Sequence, residues 1–332
     1  MRILAQKVSD NLSHPQDKRR FGNLIEVEFF SKVPSDSLRG DKIILNIHSD
    51  LKLFENLRYS WDCVVFDYCD MIHTRNPLSF YIMTTLWFIK GKISAPISRK
   101  KFKQILNEVD VLVVGSVAQK TLCEVFRSKD IYMIEDYFGD LVFDESLTDD
   151  QKSNGIVWEG LAGGNFNSLL KCFRVAKLSG LNLTVVTDLE YPVFSGILKI
   201  RTERVLQVMS FITRNKNVVL KKWTMANLKL AADEGEYIVV PLNGSNLLEY
   251  YKPANKAVLS LIMGLKPILY RTPDYELFSR TISSTRSICF TSLSEAAELL
   301  SNYPKLNSHV IEEYLNNRNK NKLTLKWKEI LS

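Results

Sequence analysis

No two cysteines in this chain stand at the CxxC spacing, and the five present, Cys63, Cys69, Cys123, Cys172 and Cys289, are an odd number. Neither a zinc site nor a disulfide framework follows from such a set. A reducing compartment fits it, with each thiol read as a small buried apolar group. No run reaches the roughly 18 apolar residues of a membrane-spanning helix. The nearest, FYIMTTLWFIKGK at 80–92, is short and ends in lysines. The opening MRILAQKVSDNLSHPQ has no apolar core of signal-peptide length. There is no GxGxxG, no GK[ST], no solenoid-length repeat and no low-complexity tract, so neither a dinucleotide fingerprint nor a P-loop is implied.

What is present is an ordinary globular composition. The chain has 332 residues, 45% apolar and 24% charged, with a formal net charge of +7. The length suits two domains, and the charge favours anionic partners. The basic residues are spread over both halves and not interleaved with exposed aromatics, which argues against nucleic acid.

Short Val/Ile-rich runs alternate with helical stretches in two blocks. KIILNIH (42–48), CVVFDY (63–68), VDVLVVGS (109–116) and IYMIED (131–136) are expected strands. SVAQKTLCEVFRSK (116–129) is an expected helix with Ser116 as its N-cap. The acidic stretch 137–155 is an expected connection. The alternation then restarts with GIVWEG (155–160), LNLTVVTD (181–188), NVVLKKW (217–223), YIVVPLN (237–243), PILYR (267–271) and SICFTS (287–292). The expected fold is therefore α/β, with two Rossmann-like domains facing a cleft. The expected domains are 1–148 and 149–308, followed by a C-terminal helix over 309–332.

Four constellations carry chemistry. VWEGLAGGNFNSLL (157–170) runs from a strand through glycines to a helix start, where a backbone can approach a phosphate; a structural turn is the alternative. In KPANKAVLSLIMG, Lys252 and Lys256 flank a helix start near Asn255, a placement that opposes the helix dipole unless an anion is bound. Gly264 is ordinary helix punctuation. Asp67, Asp70 and His73, with His48, lie at or just past strand ends and are candidate general bases or else caps. Residues 80–103 follow aromatics and aliphatics with lysines and arginine, which suits an anionic membrane surface or a core helix beside a solvated loop.

The strand ending in VPLN, the polar loop, KPANKAVLSLIMGLKPIL and PDYE together resemble the donor-binding half of GT-B glycosyltransferases, near the family 4 group. In the commonest form of that group two glutamates mark this segment. Counted back from Gly264, their places hold Ser260 and Lys252. The Lys-Pro-Ala-Asn form resembles bacterial surface-polysaccharide transferases. The resemblance implies a metal-independent transferase that moves a sugar from a nucleotide-sugar donor to a glycan or lipid-linked acceptor, needing no cofactor. It also implies that the C-terminal helix returns to the N-terminal domain, and that the protein works in the cytoplasm at the inner membrane face. By the same resemblance Lys252, Asn255 and Lys256 contact donor phosphates, Ser260 reaches the ribose, and Gly163, Gly164 and Asn165 close over the donor. Lys221 and Lys222 lie where the base is held. A non-catalytic nucleotide- or sugar-binding protein on the same fold is the alternative.

Overall fold

The computed structural model describes residues 2–7, 20–21, 24–31, 41–51, 54, 60–139, 155–161, 166–193, 198–242 and 246–332. The chain divides into two compact units. The first comprises Met1–Asp140, Tyr251–Pro253 and Asn316–Ser332, and the second Leu141–Tyr250 and Ala254–Leu315. The expected boundary between 148 and 149 lies outside the described residues.

The first unit holds six strands: β1 (Ile3–Gln6), β2 (Glu28–Phe30), β3 (Lys42–Leu45), β4 (Cys63–Asp67), β5 (Val111–Val114) and β6 (Ile131–Met133). They form one all-parallel sheet in the order β2-β1-β3-β4-β5-β6. Val64, Val65, Phe66, Leu112, Val113 and Val114 are all buried, as expected for strands covered on both faces. The chain reverses its direction of travel across the sheet between β1 and β3, so the carboxyl ends of these two strands border a crevice.

The C-terminal helix Lys320–Leu331 belongs to this unit. Leu323, Trp327, Ile330 and Leu331 join the core made by Ala5, Ile44, Val65 and Val113. Trp327 is fully buried, with its ring 5.6 Å from that of Phe21; burying a side chain of this size contributes about 3 kcal/mol. Buried Lys42 donates to the carbonyls of Leu331 and Ser332, which are acceptors that the last turn of a helix leaves unpaired.

The second unit holds β7 (Gly155–Glu159), β8 (Asn182–Thr187), β11 (Val218–Lys222), β12 (Tyr237–Val240), β13 (Lys266–Tyr270) and β14 (Cys289–Phe290) in a second parallel sheet. Its order is β11-β8-β7-β12-β13-β14, and a separate antiparallel hairpin pairs β9 (Glu190–Val193) with β10 (Leu198–Arg201). Here the reversal falls between β7 and β12. Helices Phe166–Ser179 and Leu293–Ser301 cover one face. Phe173, Cys172, Leu299 and Leu300 from these helices pack with Trp158, Val185, Val239 and Ile268 from the strands.

The expected strands are all present; the one expected at 267–271 is shifted by one residue to Lys266–Tyr270, and the others are one to several residues shorter. The Ser116 hydroxyl accepts from the amide of Gln119 at 3.2 Å, as an N-cap should. Gly264 has a φ of +70°, which suits a glycine just past a helix end. Cys123, Cys172 and Cys289 are buried, and burial pushes the Cys123 thiol up to about 12, so these thiols act as apolar filler.

Candidate functional site

In the second unit, the carboxyl ends of β7 and β12 define the crevice. Glu159 closes β7, and Lys256 stands on the first turn of helix Asn255–Ile262. Lys256 Nζ donates to the Glu159 carbonyl and lies 3.2 Å from its carboxylate. The same carboxylate accepts from the Trp223 indole N–H at 2.9 Å, at the carboxyl end of β11. The Lys256 ammonium also sits 5.7 Å from the centre of the Trp158 ring, within cation–π range. A Cβ on Gly160 would lie 3.1 Å from both Lys256 Nζ and the Trp158 ring. Glycine at 160 therefore lets the chain pass directly against the lysine, and Gly160 and the start of helix Asn255–Ile262 come together at one edge.

Lys171 donates to the Leu242 carbonyl at 2.8 Å, tying the helix after β7 to the loop after β12. Burial pushes the Tyr275 phenol well above its ordinary value, and the nearby Glu159, Asp274 and Glu249 push it the same way. The edge thus carries the Glu159 carboxylate as well as Lys256 and Lys171. Glu159, Trp223, Lys171, Glu249 and Asp274 were not among the sequence candidates. The one signal for them was the position of Glu159 and Trp223 at the ends of Val/Trp- and Val/Leu-rich strands.

Of the expected donor residues, Asn255 and Lys256 share this helix start, whose N-cap Ala254 offers no side-chain acceptor. Lys252 belongs to Tyr251–Pro253, which groups with the first unit. Ser260 is buried, and its hydroxyl donates to the Ala257 carbonyl at 2.6 Å, so it is turned into its own helix. Lys221 pairs with Glu234 at 2.6 Å, while Lys222 is exposed on the other side of the edge strand. Gly163, Gly164 and Asn165 lie outside the described residues.

The three acidic and histidine candidates of the first unit have separate environments. Asp67 is fully buried and its carboxylate meets the equally buried Arg20 at 2.6 Å, so it serves an internal ion pair instead of facing solvent as a base. Asp70 is exposed. His73 is buried, with Nδ1 hydrogen-bonded to the Tyr68 hydroxyl and its ring 4.9 Å from that of Phe126. Burial, helped by Lys103 and Arg99, lowers its pKa to about 4, so the imidazole is neutral at pH 7. Tyr68, whose own pKa burial raises, donates to Nδ1, leaving the ring proton on Nε2. The unfolded chain binds this proton near pH 6.5 and the folded one only near 4, so stability falls as pH drops through that window. Denaturant melts from pH 7 to 4 will show this slope in the wild type, and a shallower one in His73→Phe.

A cavity of 340 Å³ opens where β1 and β3 end, lined by residues including Gln6, His48, Asp50, Trp61, Lys92 and Ser94. Asp50 accepts from the Ser94 amide at 2.9 Å and from its hydroxyl at 3.0 Å. The Trp61 indole N–H is buried there, with no hydrogen-bond partner among the described residues. None of Asp67, Asp70 and His73 is among the described residues that line it.

No family model matches the sequence, and no curated protein matches it. Solved structures do. A mutant of S. aureus TarM, in complex with fondaparinux, alpha-GlcNAc-glycerol and UDP, aligns with a TM-score of 0.54 at 12% identity over 87% of this chain. This chain spans 55% of TarM's length. An α,α-trehalose-phosphate synthase (UDP-forming) from Burkholderia xenovorans, in complex with glucose-6-phosphate, aligns at 0.52 with 9% identity, covering 88% of this chain and 73% of the synthase. An E. coli trehalose-6-phosphate protein bound with UDP-2-fluoro glucose aligns at 0.50 with 10% identity, covering 87% and 72%. The fold is that of the GT-B glycosyltransferases.

Proposed function

We propose that the protein is a glycosyltransferase that takes a nucleotide sugar at the β7/β12 edge and passes the sugar, a hexose in this reading, to a glycan or lipid-linked acceptor in surface polysaccharide biosynthesis. The observation that carries this reading is the meeting of Gly160, the start of helix Asn255–Ile262 and Lys256 at the point where the strand order reverses. Similarity to structures described with UDP and with UDP-2-fluoro glucose supports a uridine nucleotide as donor. In this reading the diphosphate draws Lys256 off Glu159. The lysine and the helix N-terminus then stabilise the departing phosphate, a role that a metal takes in other transferases. Glu159 is left to accept from sugar hydroxyls. His48 and Asp50, which line the cavity of the first unit, are better placed to meet an acceptor hydroxyl than the enclosed Asp67 and His73. The reaction is assigned to the inner face of a cytoplasmic membrane.

One observation favours the rival reading, a non-catalytic nucleotide-sugar-binding protein: two of the three acidic and histidine candidates are buried in structural contacts. Release of nucleotide from donor in the presence of acceptor glycan separates the two. A thermal-shift panel tests both. A nucleotide at 100 times its dissociation constant stabilises its domain by about 2.7 kcal/mol, and a panel in which no nucleoside diphosphate raises the midpoint removes the donor site.

A further inference from the structure

Helix Pro77–Ile89 turns the wrong residues toward water. It has 13 residues and not one charge, opens on the Asn76 cap, and buries only Phe80 and Thr84. Leu78, Tyr81, Ile82, Leu86, Phe88 and Ile89 are exposed, Leu78 and Ile89 by 69% and 70%. At about 100° per residue these six fall on one arc of roughly 160°, opposite Phe80. Single exposed apolar residues are ordinary, but a contiguous stripe on one helix marks a contact surface.

The charge around the stripe says which contact. From Arg75 to Asn107 the sequence has seven basic residues, Arg75, Lys90, Lys92, Arg99, Lys100, Lys101 and Lys103, and no acidic one, in a chain whose totals are 44 basic and 37 acidic. Both ends of the helix are cationic. Arg99 donates to the Arg75 carbonyl at 3.0 Å at the first end. Lys90 and Lys92 are exposed at the other, on a turn where Gly91 has a φ of +65°.

We infer that this helix is a membrane-surface anchor that lies in the headgroup region of an anionic bilayer, with its apolar stripe inward and its basic ends on lipid phosphates. Thirteen residues span about 20 Å, short of the roughly 30 Å hydrocarbon core, so the helix lies in the interface and does not cross it. A second copy of the chain is the poorer occupant, because a two-fold contact would bring two sets of cations together. Gly91, Lys92, Ile93 and Ser94, which follow the helix directly, line the 340 Å³ cavity. Docking therefore sets the mouth of that cavity at the membrane surface. The anchor itself does not depend on the transferase reading.

Vesicle flotation tests it, using phosphatidylcholine vesicles with and without phosphatidylglycerol. Wild type should float with the anionic vesicles. Ile82→Asp/Ile89→Asp should reduce binding by about tenfold or more. Lys90→Glu/Lys100→Glu should lose the preference for phosphatidylglycerol. All these side chains are exposed, so both variants should keep the wild-type melting midpoint, and the nucleotide-induced thermal shift reports separately on the donor site. Flotation that is absent in wild type, or equal in wild type and the aspartate variant, overturns the anchor. So does a dimer in sedimentation that the aspartate variant dissolves while vesicles are ignored.

Discussion

Asp67→Asn will destabilise the first unit by about 3–5 kcal/mol, the cost of leaving one member of a buried ion pair without its partner. Arg20 is 1% exposed and Asp67 0%. Three contacts of 2.6, 3.1 and 3.2 Å join the guanidinium to the carboxylate. Burial works against the Arg20 charge, and Asp67, with Asp136 at 3.4 Å, more than offsets it. Arg20 also donates to the Ile134 carbonyl and lies 6.0 Å from the Trp327 ring centre, so the pair links β4, the end of β6 and the C-terminal helix. Asparagine keeps the shape and removes the charge, leaving a cation that water cannot reach with only the longer 3.4 Å contact to the Asp136 carboxylate. For a unit of this size the midpoint should fall by roughly 10 °C. Scanning calorimetry of the whole chain reads this as a shift of one transition. If Asp67 is instead a solvent-facing base, the variant will melt like wild type and lose only turnover. Arg20→Met/Asp67→Leu, which removes both charges, should recover much of the loss, as apolar replacements of buried pairs often do.

The strands of both sheets were legible because parallel strands buried on both faces are written as unbroken Val/Ile runs such as VVF and VLVV. Local punctuation was legible for a similar reason: Ser116 caps and Gly264 stops a helix through contacts within four residues. What escaped was long-range. Asp67 looked like a free carboxylate at a strand end, because its partner is 47 positions away. Lys256 stood out as a lysine at a helix start, but its carboxylate partner Glu159, 97 positions away at the end of β7, gave no local signal. The contact that Ser260 makes is local instead. A serine inside a helix has a backbone acceptor one turn back, and its hydroxyl takes it. Strand β1 and helix Thr202–Thr213 lacked the compact apolar run or the capping signal that marked the other elements.

Lys256→Ala should weaken binding of a nucleoside diphosphate by about tenfold or more, since a charge-assisted hydrogen bond contributes roughly 1.5–3 kcal/mol. In the structure the lysine is held by Glu159, so a diphosphate must win it from a carboxylate 3.2 Å away. It can do so because it carries more charge and would face the N-terminal N–H groups of the same helix, where the helix dipole favours an anion. Two companions make the result specific. Lys266 stands just past the other end of that helix and pairs with Glu236 at 2.6 Å, so Lys266→Ala should bind the nucleotide like wild type. Glu159→Gln removes the carboxylate charge from beside Lys256, keeps its bond to the backbone carbonyl, and should bind the diphosphate at least as tightly as wild type. Its turnover should fall if the carboxylate serves the sugar. Calorimetric titration of UDP into the four proteins gives the ranking. If Lys256→Ala binds UDP as tightly as wild type, the lysine is only a strap that holds the helix to β7, and the phosphate must be sought elsewhere on this edge.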